Sequence, residues 1–175
     1  MSPHCDLVKG IVMDKLFGDR HEWATAIGRI FIAFGAIESV THTCLTSWSE
    51  EPLYKHLSKM RLDQRLSLIA DLASMQGLPE SEVSIFVGRI KETRELAQKR
   101  NHIAHNPLVL CLFAPEGEFV PVIGSHKEEG PILEYKEVVE LASQAEQLEA
   151  EFEVFLVMMR LHDIEWKPLP AKEWI

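Results

Sequence analysis

At 175 residues the chain has about the length of one compact domain, for which roughly 150 residues is usual. Hydrophobic residues make up 46% and charged residues 26%, enough apolar surface for an ordinary core, which excludes disordered, collagen-like and fibrous chains. The formal net charge of -9 excludes a histone-like or coating role, so any contact with phosphates must come from a local basic patch set against a repulsive overall field.

Taken from the start, Asp6, Lys9, Asp14 and Lys15 occupy the stretch where a signal peptide would carry its apolar core. No run approaches the roughly 18 apolar residues of a membrane span. Cys5, Cys44 and Cys111 are far apart and form no CxxC pair, so neither a disulfide framework nor a zinc ribbon is expected and a reducing compartment fits. The expectation is a cytoplasmic chain that neither crosses nor binds a membrane.

From about Arg20 to Trp48, Trp23, Ile27, Ile30, Phe34, Ile37, Cys44 and Trp48 recur at alternating four-and-three spacing, interrupted only by Thr41. This predicts one long helix with a buried seam, on which Cys44 is a core thiol. A second stripe on it carries Gly28, Phe31, Gly35, Glu38, His42 and Leu45, and its two glycines would let another helix, or a second subunit, come close. After a polar break at Ser49 to Pro52, Leu62, Leu66, Ile69 and Ala73 mark a second helix within Met60 to Met75, stopped by Gly77 and Pro79. A third helix is predicted from about Glu82 to His105, with Val83, Phe86, Ile90, Ala97 and Ala104 inward. Asn106-Pro107 ends it, because a residue before proline avoids the helical region.

Leu108 to Phe113 and Phe119 to Ile123, with the turn Ala114-Pro115-Glu116-Gly117 between them, read as a β-hairpin in which Pro121 confines its strand to an edge. Charged residues from His126 to Gly130 lead into a last helix of about 28 residues, with Val138, Leu141, Ala145, Leu148, Phe152, Phe155 and Met159 as its seam. The expected fold is all-α: an antiparallel four-helix bundle with a small β-hairpin inserted between helices 3 and 4. Residues 1–175 form one domain with a core of about 20–163 and a C-terminal extension over 164–175.

The segment Arg100-Asn101-His102-Ile103-Ala104-His105-Asn106-Pro107 concentrates a permanent cation, amides and two imidazoles in the last turns of the third helix. Cleaving RNA without a metal takes a base for the 2′-hydroxyl, an acid for the leaving oxygen and a positive group for the phosphorane. Histidine can act as base or acid near neutrality, and arginine grips phosphate oxygens with a planar fork. Residues five apart stand about 140° apart around a regular helix, whereas Asn101 and His105 share a face. Arg100 and His105 therefore meet only if the helix frays before Pro107, if the Arg100 side chain reaches round, or if each works with its counterpart in a second subunit.

This arrangement resembles the HEPN superfamily, all-helical bundles whose signature is Arg, four to six residues, then His, commonly with a polar residue straight after the Arg. Arg100, Asn101 and His105 fill those positions over a resemblance spanning roughly Arg20 to His162. The resemblance implies a homodimer in which two motifs meet in one ribonuclease cleft, a toxin or defence role, RNA as substrate, and an antitoxin protein as partner. A subclass paired with a nucleotidyltransferase antitoxin has Tyr two residues after the His; here that position is Pro107.

Arg100, Asn101 and His105 are thus the catalytic candidates, with Lys99, Arg94 and Glu38 as substrate-binding candidates and no cofactor or metal expected. His102 and His105 lack a third ligand at a recognisable spacing. Lys91, Arg94, Lys99 and Arg100 could form a cationic ramp, or an ordinary charged helix surface diluted by Glu92 and Glu95. Two other readings stand beside the nuclease. His105 could sit at a helix end for its dipole while Arg100 caps carbonyls or pairs with Glu38, and the chain could be a catalytically silent HEPN module that binds a partner protein or nucleotide.

Overall fold

Asp19 starts the first helix by accepting the backbone N–H of His21 on its carboxylate at 2.7 Å, which satisfies one of the donors a helix N-terminus leaves free. The computed structural model describes residues 19–49, 51–113, 117–125 and 131–162. Cys5, the signal-peptide test, the turn from Ala114 to Glu116, the run from His126 to Gly130 and the extension over 164–175 lie outside the described residues.

The protein is mostly helical, with α1 over Arg20–Trp48, α2 over Glu51–Leu57, α3 over Leu62–Ala73, α4 over Glu80–His105 and α5 over Tyr135–His162. Strands β1 (Leu108–Phe113), β2 (Glu118–Gly124) and β3 (Ile132–Glu134) form an antiparallel sheet in the order β1-β2-β3. Two elements exceed the sequence expectation. The seven-residue α2 follows the break at Ser49, and β3 makes a third strand where a two-stranded hairpin was expected.

With β3 in place, β2 is the central strand, so Pro121 does not lie on an edge strand as expected. Proline is tolerated because β3 pairs only Val122, Ile123 and Gly124 and stops one residue short of it. The ladder bond that proline cannot make is never required on that side.

One apolar cluster draws residues from α1, α3, α4, α5 and the sheet. The α1 seam buries Trp23, Ile30, Phe34, Ile37 and Cys44, with Ile27 and Trp48 partly buried against the core. Thr41 is fully buried within this seam, and its Oγ1 donates to the Glu38 carbonyl at 2.7 Å. The polar interruption of the apolar pattern is thereby hydrogen-bonded rather than orphaned.

The order of side-chain contacts gives the helix directions. Trp23 meets Tyr135 with ring centroids 5.1 Å apart, and Arg29 pairs with Glu146 at 2.7 Å, so α1 and α5 run the same way. Phe86 stacks on Phe155 at 3.7 Å and Arg89 pairs with Glu151, so α4 runs against α5. Strict alternation of direction therefore fails for α1 and α5.

By length and composition α1 could cross a membrane, contrary to the expectation that no run comes close. In this fold ten of its residues are buried in the protein core, where an apolar helix also belongs. Gly28 and Gly35 have nothing within 4 Å of an added Cβ. The stripe is open only at these two glycines, with Ile32 between them 72% exposed; further along, Arg100 of α4 lies beside Phe31, Arg65 of α3 meets Glu38 and His42, and Leu45 is fully buried.

Candidate functional site

The end of α4 is set by Asn106, whose extended backbone (ψ 143°) is the conformation a residue before proline adopts. Its Nδ2 donates to the His102 carbonyl at 2.7 Å and stands 3.1 Å from His102 Nδ1. His102 is thus tied to the helix terminus by its neighbour one turn on.

Two turns back, Arg100 is half-buried on the side of α4 that meets α1. Its guanidinium lies 5.1 Å from the Phe31 ring centroid and 5.6 Å from that of Phe34, within reach of cation–π attraction. Nη1 donates to Asn101 Oδ1 at 3.1 Å and Nη2 to Glu38 Oε1 at 3.4 Å. Nε is buried with no hydrogen-bond partner.

Glu38 does double service. Its second oxygen accepts from Arg65 Nη2 at 3.2 Å, and Arg65 Nη1 donates to His42 Nε2. Arg65 is only 4% exposed, and its Nε also lacks a partner. A buried guanidinium needs a counter-ion and acceptors, and Glu38 and His42 supply them from successive turns of α1. Burial, reinforced by the Arg65 cation and opposed by Glu38, pushes the His42 imidazole below its usual pKa. The neutral ring can then accept at Nε2.

Glu38, Arg65, Arg100 and Asn101 border a cleft of about 600 Å³ between α1, the start of α3 and the last turns of α4. Arg61, Arg65, Arg94 and Arg100 contribute to its walls along with Glu38 and Asp63, a local excess of two positive charges in a chain of net charge -9. Arg61 pairs with Asp63 at 3.2 Å, whereas exposed Arg94 makes no ion pair among the described residues. Gln98 and Asn101 add amides, and Met60, Leu62, Leu66 and Ala97 add apolar surface. Such a lining can hold a polyvalent oxyanion by charge and planar hydrogen bonding while its amides and apolar wall meet the rest of the ligand.

Of the residues singled out in the sequence, the structure brings Glu38, Arg94, Arg100 and Asn101 to this cleft. Lys99 lines a different depression, with Arg89, Glu92 and Gln144 between α4 and α5. His105 is exposed beyond the cleft, with no hydrogen bond or ion pair among the described residues. Since α4 runs against α1, His105 lies about 7.5 Å further towards the start of α1 than Arg100.

Arg61, Arg65 and Gln98 were missed. Arg65 left one signal: with Leu62, Leu66 and Ile69 inward on α3, it is a cation on the core-facing phase of its helix. Among the described residues no group of three His, Cys, Asp or Glu side chains is placed to hold a metal ion. Comparison with protein-family models, curated proteins and solved structures finds no match to the chain.

Proposed function

We propose that the chain is a HEPN-type four-helix bundle acting as a metal-independent endoribonuclease of toxin or defence type, cytoplasmic and homodimeric, with RNA as substrate and an antitoxin protein as regulator. One observation carries this reading: Arg100 is held by Glu38 and Asn101 beside an arginine-rich cleft, with His105 exposed at the end of the same helix. The open α1 stripe of Gly28, Ile32 and Gly35 supplies a surface on which a second copy can pack and bring two helix ends together.

In that composite site one His105 takes the proton of the 2′-hydroxyl as its oxygen attacks phosphorus, and the P–O5′ bond breaks. The partner copy's His105 returns a proton to the leaving 5′-oxygen, leaving a 2′,3′-cyclic phosphate. Arg100 faces the charge that builds on the phosphorane oxygens, and Asn101 fixes the guanidinium plane.

A second reading, a silent module that binds a partner protein or nucleotide, is favoured by the Glu38 contact, which already neutralises part of the Arg100 charge. Incubation of the purified protein with a mixed RNA pool, with and without EDTA, separates the two. Cleavage that survives EDTA, yields cyclic phosphate ends and is lost in His105→Ala supports the nuclease. Intact RNA with both proteins leaves the binding module.

A further inference from the structure

We propose that the outer edge of β1 pairs antiparallel with β1 of a second copy of the chain, joining two three-stranded sheets into one of six strands. The contact goes beyond the ribonuclease reading, which draws its second copy to the α1 stripe of Gly28, Ile32 and Gly35.

The phase of hydrogen bonding comes first. Gly124 N donates to the Pro107 carbonyl at 3.3 Å, one step before the register pair of Leu108 with Ile123. In an antiparallel ladder hydrogen-bonded and non-hydrogen-bonded pairs alternate. Val109, Cys111 and Phe113 therefore bond β2, while the N–H and C=O groups of Leu108, Leu110 and Leu112 point away from it. Pro121 agrees with this phase, since opposite Leu110 no N–H is asked of it. Because β1 ends the strand order, the three outward residues face no neighbouring strand, and none of their backbone groups is hydrogen-bonded among the described residues.

The character of the edge comes second. Exposed strand edges are ordinarily guarded by charge, proline, a bulge or brevity. The other edge of this sheet follows that rule, for β3 is three residues long and ends in Glu134. β1 runs for six residues, Leu-Val-Leu-Cys-Leu-Phe, with no charge, no proline and no break in its register with β2. Leu108, Val109, Leu110 and Cys111 are each half-buried, which leaves apolar surface for a further strand to cover.

Symmetry comes third and selects the occupant. The outward residues are spaced evenly about Leu110, so a twofold axis there sets Leu110 against the partner's Leu110 and Leu108 against the partner's Leu112. Each of these becomes a hydrogen-bonded pair, and no outward donor or acceptor is left over. Charge favours the same pairing. In a chain of net charge -9 the copies meet along an uncharged strand, and the antiparallel order lays the His105 end of one β1 beside the Glu118 end of the other hairpin, keeping like ends apart. At roughly 3.3 Å per residue the two Pro107 residues lie about 20 Å apart, so this contact holds the two α4 ends at a distance rather than closing a shared cleft.

In this arrangement Val109 faces the partner's Cys111 in a non-hydrogen-bonded pair with Cα atoms about 4.5 Å apart, inside the roughly 4.4–6.8 Å that a disulfide spans. Two copies of Cys111, or two of residue 109, stand diagonally at about 7–8 Å and do not bridge. The full chain carrying Val109→Cys in a Cys5→Ser background, treated with diamide, which takes up the two hydrogens that the thiols lose, should therefore run as a covalent dimer without reductant. The same protein with Cys111→Ser added, and the Cys5→Ser parent, should run as monomers.

Leu110→Lys sets two like charges directly opposite across the axis and should weaken self-association in sedimentation by about tenfold or more, with the helical circular dichroism unchanged. Ile32→Lys on the α1 stripe should leave the cross-link intact. Absence of the Val109→Cys dimer, an equal dimer after Cys111→Ser, or a cross-link lost in Ile32→Lys overturns the proposal. RNA cleavage is read separately: a cross-linked dimer that cuts no RNA sinks the nuclease alone, and cleavage without the cross-link sinks this contact alone.

Discussion

Glu38 and Arg100 hold one another between α1 and α4, Nη2 of Arg100 donating to Oε1 of Glu38 at 3.4 Å. The other carboxylate oxygen is committed to buried Arg65, so one acid orders two cations. Replacing it with Glu38→Gln keeps an acceptor and removes the charge. Hydrogen bonds to charged groups contribute about 1.5–3 kcal/mol, and Glu38 is itself a third exposed, so the expected loss is ~1–2 kcal/mol in urea unfolding. The same variant should bind phosphate-bearing ligands more tightly, because Arg100 loses its internal competitor. Weaker binding in a folded Glu38→Gln protein would show that Glu38 positions the guanidinium rather than competing for it.

For the nuclease reading, His105 and Arg100 separate by the kind of loss they should show. Exposed His105 has no hydrogen-bond or ion-pair partner among the described residues, and a helix-end histidine contributes only about 0.3–1 kcal/mol through the dipole. His105→Ala should therefore leave the thermal midpoint nearly unchanged while lowering cleavage by about 10²–10⁴, the range of general acid–base catalysis. Arg100→Lys should retain more activity than Arg100→Ala but not parental activity, since an ammonium lacks the two-pronged grip. If His105→Ala cuts RNA as fast as the parent, the catalytic assignment fails.

The long helices were legible because each presents a sustained 3.6-residue apolar pattern, although on α4 the expected inward Ala104 is exposed and Ile103 is buried in its place; the α4 terminus was legible because Asn106-Pro107 is a backbone constraint written in two adjacent residues. β3 was not, since three residues, Ile132 to Glu134, are too few to establish a period and their pairing with Val122 to Gly124 is non-local. α2 was hidden by the same shortness. At the site, the spacing of Arg100, Asn101 and His105 marked the helix end but not the cleft, whose other wall comes from Arg61 and Arg65 some 35 residues earlier. The Arg65 pairing with Glu38 spans 27 residues, and no periodicity on one helix can specify which cation on another will meet it.

Cys44 is fully buried in the α1 seam, and burial raises its thiol pKa to about 12. Reaction with disulfide reagents goes through the thiolate, so Cys44 is protected both sterically and by its protonation. In a Cys5→Ser, Cys111→Ser background, labelling by an aromatic disulfide reagent at pH 8 should be negligible in the native protein. It should become complete only across the unfolding transition in urea. Rapid labelling without denaturant would mean that α1 opens locally at its C-terminal half.

His42 makes stability depend on pH in a definite direction. Its folded pKa is depressed, first by burial and then by Arg65, against the opposing pull of Glu38, while the unfolded value is about 6.5. Between those two values the unfolded chain binds the proton that the folded chain refuses, so stability rises with pH there and falls as the solution is acidified. The contribution is fully present above about pH 6.5 and is lost as pH drops towards the folded pKa. Protonation also removes the Nε2 acceptor used by Arg65, which couples the loss to the buried cation. His42→Gln keeps an amide acceptor and cannot titrate, so urea unfolding from pH 8 to pH 5 should show a shallower decline than the parent. The His42 ring resonance should titrate below the ordinary histidine range in the parent. Parallel pH profiles for the two proteins, with His42 titrating near 6.5, would mean that the ring is solvated and that Arg65 relies on Glu38 alone.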